Sequence, residues 1–62
     1  MTESQDERIR QLRHDLANPL SGILAETQLL LMNESTYDAE TVESLREIEH
    51  LSRRMRDLLQ QT

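Results

Sequence analysis

The sequence predicts an all-α fold, an antiparallel helical hairpin that pairs with a second copy into a homodimeric four-helix bundle. Three observations predict it. Apolar residues recur at intervals of three and four along two long segments, the spacing that gathers them on one stripe of a helix. A short polar segment separates the two. The chain has 62 residues with one Gly, one Pro, no Cys and no Trp, so it makes one domain, residues 1–62, whose core is small enough to need outside support.

The first helix is expected from about residue 3 to Asn33, with Ile9, Leu12, Leu16, Leu20, Ile23, Leu24, Leu30 and Leu31 as its stripe. Two overlapping capping boxes mark its start, Thr2 with Gln5 and Ser4 with Glu7, each pairing a hydroxyl with a side chain three residues on. The segment Asn33-Glu34-Ser35-Thr36-Tyr37-Asp38 breaks the pattern and supplies several N-cap residue types, which places a loop over about 34–38. The second helix is expected over about 38–61, with Val42, Leu45, Ile48, Leu51, Met55, Leu58 and Leu59 on its stripe. Its acids Glu40 and Glu43 come early and Arg53, Arg54 and Arg56 late, in the sense that complements the helix dipole.

Each stripe is wider than one neighbouring helix covers, so a lone hairpin leaves leucines wet. Without cysteines there is no disulfide to compensate, and two histidines far apart in sequence argue against a structural metal. Association remains. Two hairpins bury both stripes, with the small or polar Thr27 and Ser52 admitted into the seam and Met32 and Met55 filling the core.

Charge narrows the function. Twelve acids against seven arginines give a net charge of −5, which argues against nucleic acid as a partner because phosphate contacts need a basic face. The longest apolar run, Leu29 to Met32, is far short of a membrane span, and the acidic start does not read as a signal peptide. The expectation is a cytoplasmic domain without direct membrane contact, compatible with being the cytoplasmic part of a longer membrane-anchored chain.

One turn of the first helix carries polar side chains on the wrong face for packing. With Leu16 at the centre of the stripe, His14 and Asn18 lie about 160° away on either side, at roughly 100° per residue. They stand one turn apart. The same outer face carries Ala17, Ser21 and Ala25, with Gly22 at its edge, where a solvated helix more often shows Glu, Lys or Gln. An imidazole on so bare a surface is open to approach by another protein domain. Pro19 lies inside the helix, where it withholds the N–H that would bond the Asp15 carbonyl, so a kink or local loosening is expected within a turn of His14.

The run His14-Asp15-Leu16-Ala17-Asn18-Pro19-Leu20 resembles the phosphoacceptor box of sensor histidine kinases, whose pattern is His, an acid, two variable residues, Asn or Thr, then Pro. The likeness extends through the apolar run to Leu31, the loop, and the second helix with Leu45, Ile48, Leu51 and Leu58. It therefore covers nearly the whole chain and resembles the dimerisation and histidine-phosphotransfer domain of that family.

The resemblance implies a mechanism. His14 is the nucleophile whose Nε2 takes the γ-phosphate of ATP, with ATP and Mg held by a separate catalytic domain and no cofactor bound by this segment. Asp15 accepts a hydrogen bond from Nδ1–H, fixes the tautomer and draws the proton. Asn18 matches the position that orients water for dephosphorylation in bifunctional members. The phosphoryl group then passes to an aspartate on a response-regulator receiver domain, expected to dock near Arg10, Ala17, Ser21 and Ala25. Lacking an Asn-rich nucleotide box and a Gly-rich lid, the segment is not expected to phosphorylate itself.

The other polar clusters have plainer readings. His50 lies opposite Ile48, follows Glu49 and has no Asn–Pro context, so it reads as a surface residue. Metal binding by His14 and Asp15 is disfavoured because neighbours on a helix point about 100° apart. Two other functions fit the same elements: a free-standing phosphorelay protein that never meets ATP, and a purely structural dimerisation hairpin.

Overall fold

The computed structural model describes residues 3–61, which form two helices joined by a tight turn. Helix α1 spans Glu3–Leu31, a 3-10 turn spans Glu34–Thr36, and helix α2 spans Ala39–Gln61. At about 1.5 Å per residue the longer helix accounts for roughly 44 Å of the molecule's 51 Å length. The other two extents, 14 and 11 Å, are those of a two-helix slab.

Helix α1 begins inside the expected capping region. Ser4 is already helical, so the Ser4–Glu7 box does not cap α1, and Thr2 lies outside the described residues. Helix α1 stops at Leu31, short of Asn33, because the hydrogen bonding tightens there. The Met32 N–H reaches the carbonyls of both Gln28, at 3.1 Å, and Leu29, at 3.2 Å, and the Asn33 N–H bonds Leu30 at 3.1 Å. These three-residue bonds lead into the 3-10 turn, which Thr36 locks by donating both its N–H, at 3.0 Å, and its Oγ1, at 2.7 Å, to the Asn33 carbonyl.

Tyr37 is extended, and Asp38 then starts α2 as a true N-cap. Its Oδ1 accepts the Thr41 N–H at 2.8 Å while its carbonyl accepts the first helical bond, from Val42, at 3.1 Å. Those hydrogen bonds from Thr41 hold the Asp38 carboxyl below its ordinary 3.8. Arg46, two turns into α2, pairs with Glu34 of the turn and ties it to the helix it precedes.

The seam between the helices is narrow. Leu20, Leu24, Thr27 and Ser52 are buried, and Arg13, Ala17, Leu31, Val42, Leu45, Glu49 and Leu59 are half-buried along the same line. Thr27 is tolerated there because its Oγ1 donates to the Ile23 carbonyl of its own helix at 2.7 Å, leaving no buried hydroxyl unmet. The rest of the apolar stripe stays open. Ile9, Leu12, Leu16, Ile23, Leu30, Ile48, Leu51, Met55 and Leu58 are all exposed, and between the helices Leu16, Pro19, Leu20 and Ile23 of α1 and Ile48, Leu51, Ser52 and Met55 of α2 line an apolar groove. Joined by a turn this short and packed side by side, the two helices run antiparallel. Met32, expected in the core, is 79% exposed, because α1 has ended before it and the turn carries it away from α2.

Candidate functional site

The site is built on a single helix, in the turns of α1 before and after Pro19. Arg13, Ala17, Leu20 and Leu24 seat this stretch on α2, and Leu16 and Ile23 face the open groove. The remaining side of α1 holds the polar residues. His14, Asp15 and Asn18 are exposed there, as are Arg10, Ser21 and Ala25. Ala17 alone among the expected docking residues is half-buried, since it sits where the outer face meets the seam.

Helix α1 runs through Pro19 without a break. Proline has no N–H to return to the Asp15 carbonyl, so the backbone one turn earlier lacks its usual donor at the residue next to His14. The ring lines the groove, on the opposite flank of the helix from the imidazole.

The immediate surroundings of the carboxylate differ from the expected pairing with His14. Asp15 Oδ1 accepts a hydrogen bond from Gln11 Nε2 at 2.9 Å, one turn back, and among the described residues no hydrogen bond reaches the His14 ring. Gln11 is a site residue that the His-Asp-x-x-Asn-Pro pattern does not include. The signal was present, because Gln and Asp four apart on a helix are a recognised pairing.

Across the seam, α2 presents two ion pairs level with this stretch, Arg53 with Glu49 at 3.4 Å and Arg56 with Asp57 at 3.8 Å. His50, the other histidine, is exposed on α2 beside Glu49. Among the described residues no three His, Cys, Asp or Glu side chains are grouped to hold a metal ion, and no helix is long and apolar enough to cross a membrane.

A helical hairpin with an outward histidine, an acid after it, and an Asn-Pro one turn on defines a class of phosphotransfer domains. The model of the His Kinase A (phospho-acceptor) domain matches residues 4–62, and the chain belongs to that family. It is thus a phosphoacceptor and dimerisation domain of the histidine kinases of two-component signalling. No curated protein and no solved structure matches the chain.

Proposed function

We propose that His14 is the phosphoacceptor of a histidine kinase and hands its phosphoryl group to an aspartate of a response-regulator receiver domain. The observation that carries this reading is the exposed imidazole at the head of a His-Asp-x-x-Asn-Pro run on α1, in a chain of the phospho-acceptor family. His50 is equally exposed but has neither the following acid nor the Asn-Pro.

In the first step Nε2 of His14 attacks the γ-phosphorus of ATP presented, with its Mg, by a separate catalytic domain. The Nε2–P bond forms as the bond to the bridging oxygen breaks, and ADP leaves. Positive charge gathers on the imidazole, and the Asp15 carboxylate, next in the chain, receives the Nδ1 proton. Gln11 holds Oδ1, which leaves Oδ2 for that task. In the second step a receiver aspartate attacks the same phosphorus, the P–N bond breaks, and an acyl phosphate forms. The Asn18 amide, one turn beyond the imidazole, has donors and an acceptor with which to orient water against the receiver's acyl phosphate, whose P–O bond to the aspartate then breaks to release inorganic phosphate. The receiver docks over Arg10, Ser21 and Ala25 and the exposed edge of Ala17. Since ATP is the donor, the domain works in the cytoplasm, and a second copy covers the apolar groove.

The test supplies the chain with a histidine kinase catalytic domain and ATP, then with a receiver. Label that is acid-labile, absent from His14→Ala, retained in His50→Ala and passed to the receiver is the expected result. Label of the same amount in His14→Ala overturns the assignment.

A further inference from the structure

We propose that Arg10 binds the phosphoryl group on His14, clamping it as it arrives and while it is stored. This rests on the reading of His14 as the phosphoacceptor and deepens it, turning a docking residue into one that touches the reacting group.

The register comes first. Arg10 is four residues before His14, so the two side chains stand one above the other on the outer face of α1. Side chains on a helix lean toward its N-terminus, which tips the imidazole over the turn that Arg10 occupies. The arginine stem is long enough to fold back across that turn, and its guanidinium presents a planar fork of donors matched to phosphate oxygens.

Arg10 is also available. It is exposed, and although Asp6 and Glu7 lie one turn back, it forms no ion pair among the described residues, whereas Arg46, Arg53 and Arg56 are each paired. The rest of the outer face near His14 is poor in cations. Arg13 is half-buried in the seam, and Ala17, Ser21 and Ala25 bring no charge to the outer face.

The charge of the whole hairpin points the same way. Residues up to Leu20 in α1 and from Arg53 onward in α2 hold six arginines and five acids, while residues 21–52 hold one arginine and seven acids. An acidic protein has therefore kept the end with His14 close to neutral. A phosphoryl group near the acidic end would be repelled; beside Arg10 it finds a cation.

The experiment uses the 62-residue chain and phosphoramidate, an anionic donor that needs no catalytic domain. Nε2 of His14 attacks phosphorus, the P–N bond of the donor breaks, ammonia leaves, and the ring's Nδ1 proton goes to Asp15 or solvent. Phosphohistidine is followed by phosphorus NMR in wild type, Arg10→Ala, Arg10→Lys and His14→Ala. Diethylpyrocarbonate, a neutral electrophile for the same imidazole, reports accessibility without charge.

Arg10→Ala is expected to slow phosphorylation roughly two- to fivefold, the size of one exposed charge pair, and to shorten the phosphohistidine lifetime. Arg10→Lys should recover part of the rate as a point charge. The rate with diethylpyrocarbonate should be the same in wild type and both Arg10 variants. Equal phosphorylation rates and lifetimes in wild type and Arg10→Ala overturn the proposal while leaving His14 as the acceptor, and so does an equal slowing with both reagents. Wild type and His14→Ala forming the same phosphohistidine overturns the underlying reading instead.

Discussion

Asp38 concentrates in one side chain the start of α2, the stop of the turn and a pH dependence. Its carboxylate accepts the Thr41 N–H, a donor that otherwise has no partner inside the helix. Hydrogen bonding to the charged form lowers the carboxyl's proton affinity in the folded chain. A depressed carboxyl contributes stability that is complete above its unfolded value and is lost as pH falls through its folded one. Asparagine keeps a capping oxygen but does not titrate. The melting temperature of wild type should therefore exceed that of Asp38→Asn near neutral pH, with the gap closing as pH falls from about 5 to about 2. Melts followed by circular dichroism at several pH values check this, and a gap that does not change with pH would contradict it. His14 illustrates the opposite case, a side chain that the fold leaves without a hydrogen bond among the described residues and open to chemistry.

Within the helices, the sequence shows more than propensity and less than geometry. The cap of α2 was readable because Asp38 is a residue type with a local hydrogen-bonding habit, whereas α1 ends at Leu31, before Asn33, through backbone bonds to which the Asn33 side chain adds no cap. The start of α1, expected at about residue 3, falls at Glu3, but its cap was not legible, since two overlapping boxes satisfy the same rule. The pairing of Gln11 with Asp15 obeys a rule of spacing that the sequence carries, whereas His14 is only adjacent to Asp15. Adjacent residues on a helix diverge by about 100°, while residues four apart align, and the structure follows the alignment.

Glycine at position 22 is a further consequence of the element rather than of the residue. It is helical, has no positive φ, and a Cβ built on it meets nothing within 4 Å. Nothing in the backbone requires glycine there, so Gly22→Ala should stabilise the chain by about 0.5–1 kcal/mol through reduced freedom of the unfolded state. A shift of the urea midpoint to higher concentration at fixed protein concentration checks it. No change, or a loss, would mean that the methyl group collides with something beyond this single hairpin, such as the second copy.

At the scale of the whole molecule, the stripes were legible but their division was not. Periodicity identifies a broad apolar face, and nothing in a spacing of three and four says which part meets α2 and which part is left over. The structure divides it: Leu20 and Leu24 go to the seam with Thr27 and Ser52, while Leu16, Ile23, Ile48, Leu51 and Met55 line an open groove. Two buried leucines are too few to hold a hairpin of this length against the entropy of ordering it. Pairing of grooves from two copies would supply the missing burial and make stability depend on concentration. Leu51 lines the groove and is 48% exposed in the single hairpin, whereas Leu29 is 57% exposed but lies outside the groove. Pairing can bury only the exposed half of each Leu51, about 0.7–1.5 kcal/mol for each of the two in a dimer, so with Leu51→Asp dimerisation should weaken roughly ten- to a hundredfold and helicity should fall with it. Leu29→Asp changes the same residue type by the same charge and should leave the dimer intact. Sedimentation equilibrium together with melts over a range of concentrations separates the two variants, and a wild-type melting temperature independent of concentration, with a monomer mass throughout, would rule out pairing through the groove.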